Sequence, residues 1–150
     1  MTNLESPNQT KPRKLVPDVN PDAIQAIYDK TTYTDAIEAR DDAILLRKYA
    51  IRLNYQYTEA DKIHRVFEAS FRTVIGPILK SLDPKTPYYE KMALVFSTNK
   101  QVEDMHEELC GYQEVATMYK NLYDQVTRLA MSLEQKAYSM GFRKDANPSY

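Results

Sequence analysis

From Val102 to Met140 a single seven-residue rhythm runs unbroken, and it restricts the possible folds more than any other feature of the chain. Numbered from Val102, the first positions of the repeat are Val102, Leu109, Ala116, Tyr123, Ala130 and Ala137. The fourth positions are Met105, Tyr112, Tyr119, Val126, Leu133 and Met140. All are apolar or tyrosine, which is the seam of a coiled-coil-like helix. Val115, Leu122 and Leu129 widen the stripe, and no proline follows until Pro148. A straight helix of about 42 residues spans roughly 60 Å. A compact domain of this length has a radius of gyration of roughly 15 Å. Three outcomes follow: the helix breaks near Gly111, it packs as one long arm of an intramolecular bundle, or its seam meets other subunits. The expectation is a homo-oligomer joined through Val102, Met105, Leu109, Tyr112, Tyr119, Val126 and Leu133.

The rest of the chain also reads as helical, so the fold class is all-α. Residues 1–20 contain Pro7, Pro12 and Pro17 among polar side chains, with Lys11, Arg13 and Lys14 adding a weak basic character. This composition predicts a flexible N-terminal arm. Asn20 is placed to cap a short helix over about 21–30, opened by Pro21. Thr34 can cap the next. Helix signals dominate 35–82, with a bend expected near Tyr57 where Thr58 could cap a new segment. Ile63, Phe67, Phe71, Val74, Ile78 and Leu82 recur at steps of three or four, one helix face. Gly76-Pro77 should kink or end that helix, since proline lacks the donor and clashes with the preceding turn. "DPKTP" at 83–87 is a loop, "YYEKMALVF" a short helix, and Ser97 or Thr98 a cap for the long one. The domain organisation expected is arm 1–20, helical oligomerisation and binding domain 21–142, and tail 143–150.

Composition narrows the chemistry. The chain has 150 residues, three glycines, no tryptophan, twelve tyrosines and a formal net charge of −1. That charge gives no global attraction to nucleic acid or anionic membrane, so an electrostatic site must be a local patch. The single cysteine, Cys110, rules out an intramolecular disulfide and suits a reducing compartment. The N-terminus has no apolar signal core, and no apolar run approaches the ~20 residues of a membrane span. The expectation is a cytoplasmic protein without membrane contact.

No phosphate-binding glycine loop, Cys-x-x-Cys or nucleophile elbow is present. Glu103-x-x-His106 and Asp61-x-x-His64 have the spacing of di-metal carboxylate bundles, whose ligands point into the core. Here the repeat places Glu103 and His106 mostly outward, and His64 on a flank. The reading is therefore non-enzymatic, with no catalytic residue, metal or cofactor. Glu103, Asp104, Glu107 and Glu108 complement the dipole of the long helix at its start.

Charge is uneven along the chain. Residues 43–80 hold seven bases, Arg47, Lys48, Arg52, Lys62, Arg65, Arg72 and Lys80, against three acids; residues 99–135 reverse the proportion. Tyr49, Tyr55 and Tyr57 interleave with the bases. Bases and aromatics together can track a phosphate backbone and stack unpaired nucleobases. The plainer alternative is a solvated helix face with half-buried tyrosines.

Three stretches add a resemblance. "EARDDAILLRKY" at 38–49 resembles the N-terminal helix of the UvsY recombination mediators of T4-type phages, through Glu38, Ala39, Asp41 or Asp42, Leu45, Lys48 and Tyr49. "YYEKMALVFSTNKQV" is similar to that family's linker into its C-terminal helix, and "LEQKAYSMGF" to its closing helix, ending at Gly141-Phe142. Order and spacing agree over about residues 30–142, with an insertion in the long helix. The resemblance implies an oligomeric helical protein that binds single-stranded DNA, helps displace the single-strand-binding protein and loads the UvsX recombinase. It implies the host-cell cytoplasm as its location. The family's basic pair matches only at Arg72, because Val74 stands where the second base belongs. Lys62, Arg65 and Lys80 can compensate on the same element, with Lys48 and Arg52 preceding them. Partners expected are therefore single-stranded DNA, a recombinase and a single-strand-binding protein. The alternative is a coiled-coil scaffold or a helical adaptor with no nucleic-acid role.

Overall fold

The computed structural model describes residues 16–141. Most of the expected arm (residues 1–15, with Lys11, Arg13 and Lys14) and the tail 143–150 lie outside them, as does Phe142. The described chain is all helical: α1 Pro21–Asp29, α2 Ala36–Lys80, α3 Tyr88–Thr98 and α4 Lys100–Ser139. No helix among the described residues is long and apolar enough to cross a membrane.

Helix starts follow local chemistry, with two corrections. Asn20 caps α1 as expected: its Oδ1 accepts from the Asp22 N–H at 2.9 Å, and Pro21 follows it. Asp35, not Thr34, caps α2, accepting from Ile37 N–H at 2.9 Å. A carboxylate also complements the positive end of the helix dipole, which a hydroxyl does not. Ser97 and Thr98 do not cap α4. Their hydroxyls donate to the Leu94 carbonyl at 2.8 Å each, inside α3. Asn99 instead serves both helices. Its N–H donates to Val95 O at 2.8 Å, and its Oδ1 accepts from Val102 N–H at 3.2 Å.

Neither expected interruption of α2 ends it where the sequence suggested. The helix continues unbroken past Tyr57 and Thr58, so Thr58 is an interior residue rather than a cap. It continues one turn past Gly76-Pro77 and stops at Lys80, with Ser81 N–H closing on the Pro77 carbonyl at 3.2 Å. A proline removes one donor and crowds one turn, and packing of the apolar face outweighs that loss here. α4 passes through Gly111 without a break. It ends at Ser139, two residues before Gly141, whose φ of 98° is the left-handed conformation that favours glycine.

The chain divides into two compact units. The first comprises the described residues up to Tyr55 together with those from Lys120 onward; the second is Gln56–Tyr119. The boundaries fall within α2 and α4.

In the first unit α1 buries Ile24 and Ile27, α2 buries Ala39, Ala43, Leu46, Ala50 and Leu53, and α4 buries Val126, Ala130, Leu133 and Ala137. Alanines recur every seven residues, at 43 and 50 and at 130 and 137, and small side chains let helices approach closely. Arg47 of α2 donates to Glu134 of α4 through Nε at 2.7 Å and Nη2 at 3.0 Å.

In the second unit Phe71, Ile75, Val95 and Val102 form the buried cluster. Ile78, Leu79, Leu82, Met92, Phe96, Met105 and Leu109 pack around it. The seam residues of α4 are thus engaged within one chain. Val102, Met105 and Leu109 meet α2 and α3 residues in this unit, while Val126 and Leu133 are buried in the other. The reason is length: α2, which the expected breaks would have cut short, has 45 residues against the 40 of α4.

Candidate nucleic-acid interface

The candidate bases divide between the units. In the first, Lys48 is exposed and has no acid at ion-pair distance among the described residues, whereas Arg52 reaches Asp18 at 3.4 Å. Tyr55 is exposed nearby in sequence; Tyr49 is half-buried. In the second unit Lys62, Arg65, Arg72 and Lys80 are all exposed. Arg65 binds Asp61 at 2.8 Å and Arg72 binds Glu68 at 2.6 Å, each across one helical turn. Both guanidinium side chains remain open to solvent, at 76 % and 75 % exposure. Such pairs contribute little, of order 0.3–0.5 kcal/mol, and can be exchanged for a phosphate. Lys62 and Lys80 have no acid partner among the described residues. At 100° per residue these four bases occupy about a quarter of the helix circumference.

One feature beside them was not read from the sequence. Phe67 of α2 and Tyr112 of α4 meet edge to face, with ring centroids 5.2 Å apart. They floor an open groove of about 400 Å³ that is also lined by Glu59, Lys62, Ile63, Val66 and Ser70. Phe67 and Tyr112 each belonged to an apolar stripe in the sequence, but nothing in either stripe says that the two rings meet. The Tyr112 hydroxyl donates to Glu108 at 3.0 Å, and that carboxylate pushes the phenol above its ordinary value. Tyr112, expected to serve oligomerisation, here has its aromatic partner in its own chain. Tyr119 is half-buried.

The histidine expectation needs correction. His106 does not face outward: its ring lies 4.8 Å from that of Phe96 and 5.8 Å from that of Phe71, and the Cys110 sulfur is 3.9 Å away. The third helix, α3, supplies Phe96 and covers a position that the repeat alone leaves on a flank. Among the described residues no three His, Cys, Asp or Glu side chains converge as a metal site would require.

The tightest polar cluster lies in the first unit and was also unread. Lys30, just past α1, binds Glu38 at 2.7 Å and Asp42 at 2.9 Å. The Tyr33 hydroxyl donates to the same Asp42 oxygen at 2.7 Å. Lys30 lies 4.8 Å from the centroid of the Tyr33 ring, and Lys136 5.4 Å from it. Burial and the Asp42 hydrogen bond push the Tyr33 phenol up to about 12, while the two carboxylates hold Lys30 above its ordinary value. These are brace contacts fixing the α1–α2 connection. Their geometry offers no nucleophile or open acid–base pair. The chain has no match among family models, curated proteins or solved structures.

Proposed function

We propose that the chain is a non-enzymatic single-stranded DNA-binding protein that acts as a recombination mediator, helping a recombinase onto strands held by a single-strand-binding protein. The observation that carries the DNA reading is the second unit's surface. Lys62 and Lys80 have no acid partner among the described residues, Arg65 and Arg72 are exposed in weak pairs, and Lys62 also lines a groove floored by Phe67 and Tyr112. Phosphates would exchange with Asp61 and Glu68 for the two guanidinium groups, and an unpaired base would find an aromatic surface beside them. The mediator role and the cytoplasmic location of a phage-encoded protein rest on the resemblance of residues 38–49, 88–102 and 133–142 to the UvsY family.

Fluorescence anisotropy with a labelled 40-mer tests the reading. At about 50 mM salt the expected result is micromolar or tighter binding, with single strands preferred over double. Affinity should fall by about 0.7 log unit per log unit of salt for each phosphate contacted. Arg65→Ala with Arg72→Ala should weaken binding and flatten that slope. Absence of binding by the wild-type chain at this salt would defeat the proposal. It would leave a helical scaffold or adaptor, a reading that the exposed apolar side chains of α2 favour.

A further inference from the structure

Within the first unit α2 carries two apolar faces, and the described residues cover only one. The covered face holds Ala39, Ala43, Leu46, Ala50 and Leu53. The other holds Ile37, Ile44 and Ile51, which are 55 %, 44 % and 52 % exposed. At 100° per residue the three fall within about 40° of one another, on the far side of the helix from the buried set. Single exposed apolar residues are ordinary on a protein surface. Three isoleucines at a strict seven-residue interval are a seam, and β-branched residues are not chosen for helix propensity.

The charges bordering this seam point to its occupant. Asp41 and Lys48 lie on the same flank, one before and one after Ile44. Lys48 has no acid partner among the described residues, and Asp41 has only a long contact of 3.5 Å to Arg40. A two-fold axis at Ile44 relating antiparallel copies of α2 would set Ile44 on Ile44 and Ile37 on Ile51. It would also set Asp41 of each copy against Lys48 of the other, twice. A parallel arrangement in register would instead bring Lys48 to the opposite flank of the second copy, which carries Arg40 and Arg47, so that no Asp41–Lys48 pair forms. On the opposite flank Arg40 would approach the Arg47–Glu134 pair of the second copy, where the Glu134 carboxylate, itself 45 % exposed, offsets the guanidinium groups. An isologous interface requires this kind of self-complementarity.

We propose that a second copy of this chain docks antiparallel on the Ile37–Ile44–Ile51 face of α2, held in register by reciprocal Asp41–Lys48 pairs. The contact spans roughly 21 Å of helix, short of a standard interface, so the dimer forms in the micromolar range. The proposal stands independently of DNA binding.

Sedimentation velocity on the full chain, from about 5 to 200 µM, tests it across the range expected of a small interface. Wild type should shift from monomer to dimer. Ile44→Asp should stay monomeric throughout, with its helical circular dichroism unchanged because the side chain is not in the core. Lys48→Asp should raise the dissociation constant about tenfold, since it removes two pairs and sets like charges face to face. The double variant Asp41→Lys with Lys48→Asp should recover to within about threefold of wild type, because both pairs re-form with reversed sign. In a Cys110→Ala background, chains carrying Ile37→Cys should cross-link to chains carrying Ile51→Cys and not to each other. A wild-type monomer at the highest concentration overturns the proposal. So does association that survives Ile44→Asp, a double variant no tighter than Lys48→Asp, or cross-linking of Ile37→Cys chains to themselves.

Discussion

The two units use the same pair of helices, α2 and α4, and fill the space between them differently. The first buries eleven apolar residues, of which five are alanines, Ala39, Ala43, Ala50, Ala130 and Ala137. The second buries five, Phe71, Ile75, Val95, Val102 and Ala116, and relies on half-exposed rings and a histidine for the rest. Small residues set a short interaxial distance and seal a narrow core. Large rings hold helices further apart and leave edges open to solvent. The groove lined by Phe67 and Tyr112 is a product of the second solution. The open groove is thus found where packing is coarse, and the larger buried core where it is fine.

Substitutions can break this comparison. The largest effect is expected at Leu46, which is fully buried in a unit where five of the eleven buried residues are alanines. Leu46→Ala should cost about 3 kcal/mol in urea denaturation. Overpacking should discriminate between the units more sharply. Ala130→Leu, at a fully buried site in the alanine seam, should cost about 2 kcal/mol. Ala116→Leu, at the slightly exposed alanine of the other unit, should cost less than about 1 kcal/mol. Equal costs at the two alanines would show that the units are packed alike.

The brace in the first unit gives an alkaline pH signature of its own, beside that of Tyr112 in the second. The Tyr33 phenol is raised in the folded state to about 12 from 10.0, and Lys30 is raised in the same direction. The folded state therefore holds both protons more tightly than the unfolded chain. The resulting stabilisation is complete below pH 10 and is lost as pH rises toward 12. Absorbance of tyrosinate on alkaline titration should show a phenol ionising at about 12 that is missing in Tyr33→Phe, while the raised Tyr28 and Tyr112 phenols remain. Lys30→Met should cost about 1 kcal/mol at neutral pH by removing donors from two carboxylates.

The smallest expected effect is a gain. Gly111 lies in the middle of α4, and a methyl group there would meet nothing within 4 Å. Gly111→Ala should stabilise the protein by up to about 1 kcal/mol, read as a higher midpoint of thermal unfolding. A loss would mean that the glycine serves a close approach after all.

Periodicity made the inner face of α4 legible almost completely. Every first and fourth position of the repeat is buried or half-buried, and Asn20 caps α1 as its position suggested. What the repeat could not say was which apolar surface covers it. That depended on Thr58 and Pro77 being tolerated inside α2. A threonine can cap a helix or continue one, and tertiary packing decides between the two. The same ambiguity misplaced the caps at Thr34, Ser97 and Thr98, each adjacent or close to a better side chain. The charged residues at 62, 65, 72 and 80 were visible as a basic run. The pairing of Arg65 with Asp61 and of Arg72 with Glu68 follows the one-turn spacing and was open to reading. The Phe67–Tyr112 contact and the Lys30–Asp42–Tyr33 cluster join segments far apart on the helices or across a loop, and no local pattern encodes them.

The order of segments also bears on how the protein reaches this state. The second unit is one continuous stretch, and the first is made of the chain on either side of it. The first unit's Arg47–Glu134 contact spans 87 positions, so its closure comes late if the chain between is unstructured. Loop closure costs roughly 0.6 kcal/mol more for each doubling of length, and an ordered insert shortens the effective loop. Nucleation should therefore begin around Phe71, Phe96 and His106, and the alanine seam should zip afterwards. In stopped-flow kinetics Phe71→Leu should slow folding, whereas Leu46→Ala should mainly speed unfolding. The surface proposed to bind and the core that stabilises would then be separated in time as well as in sequence.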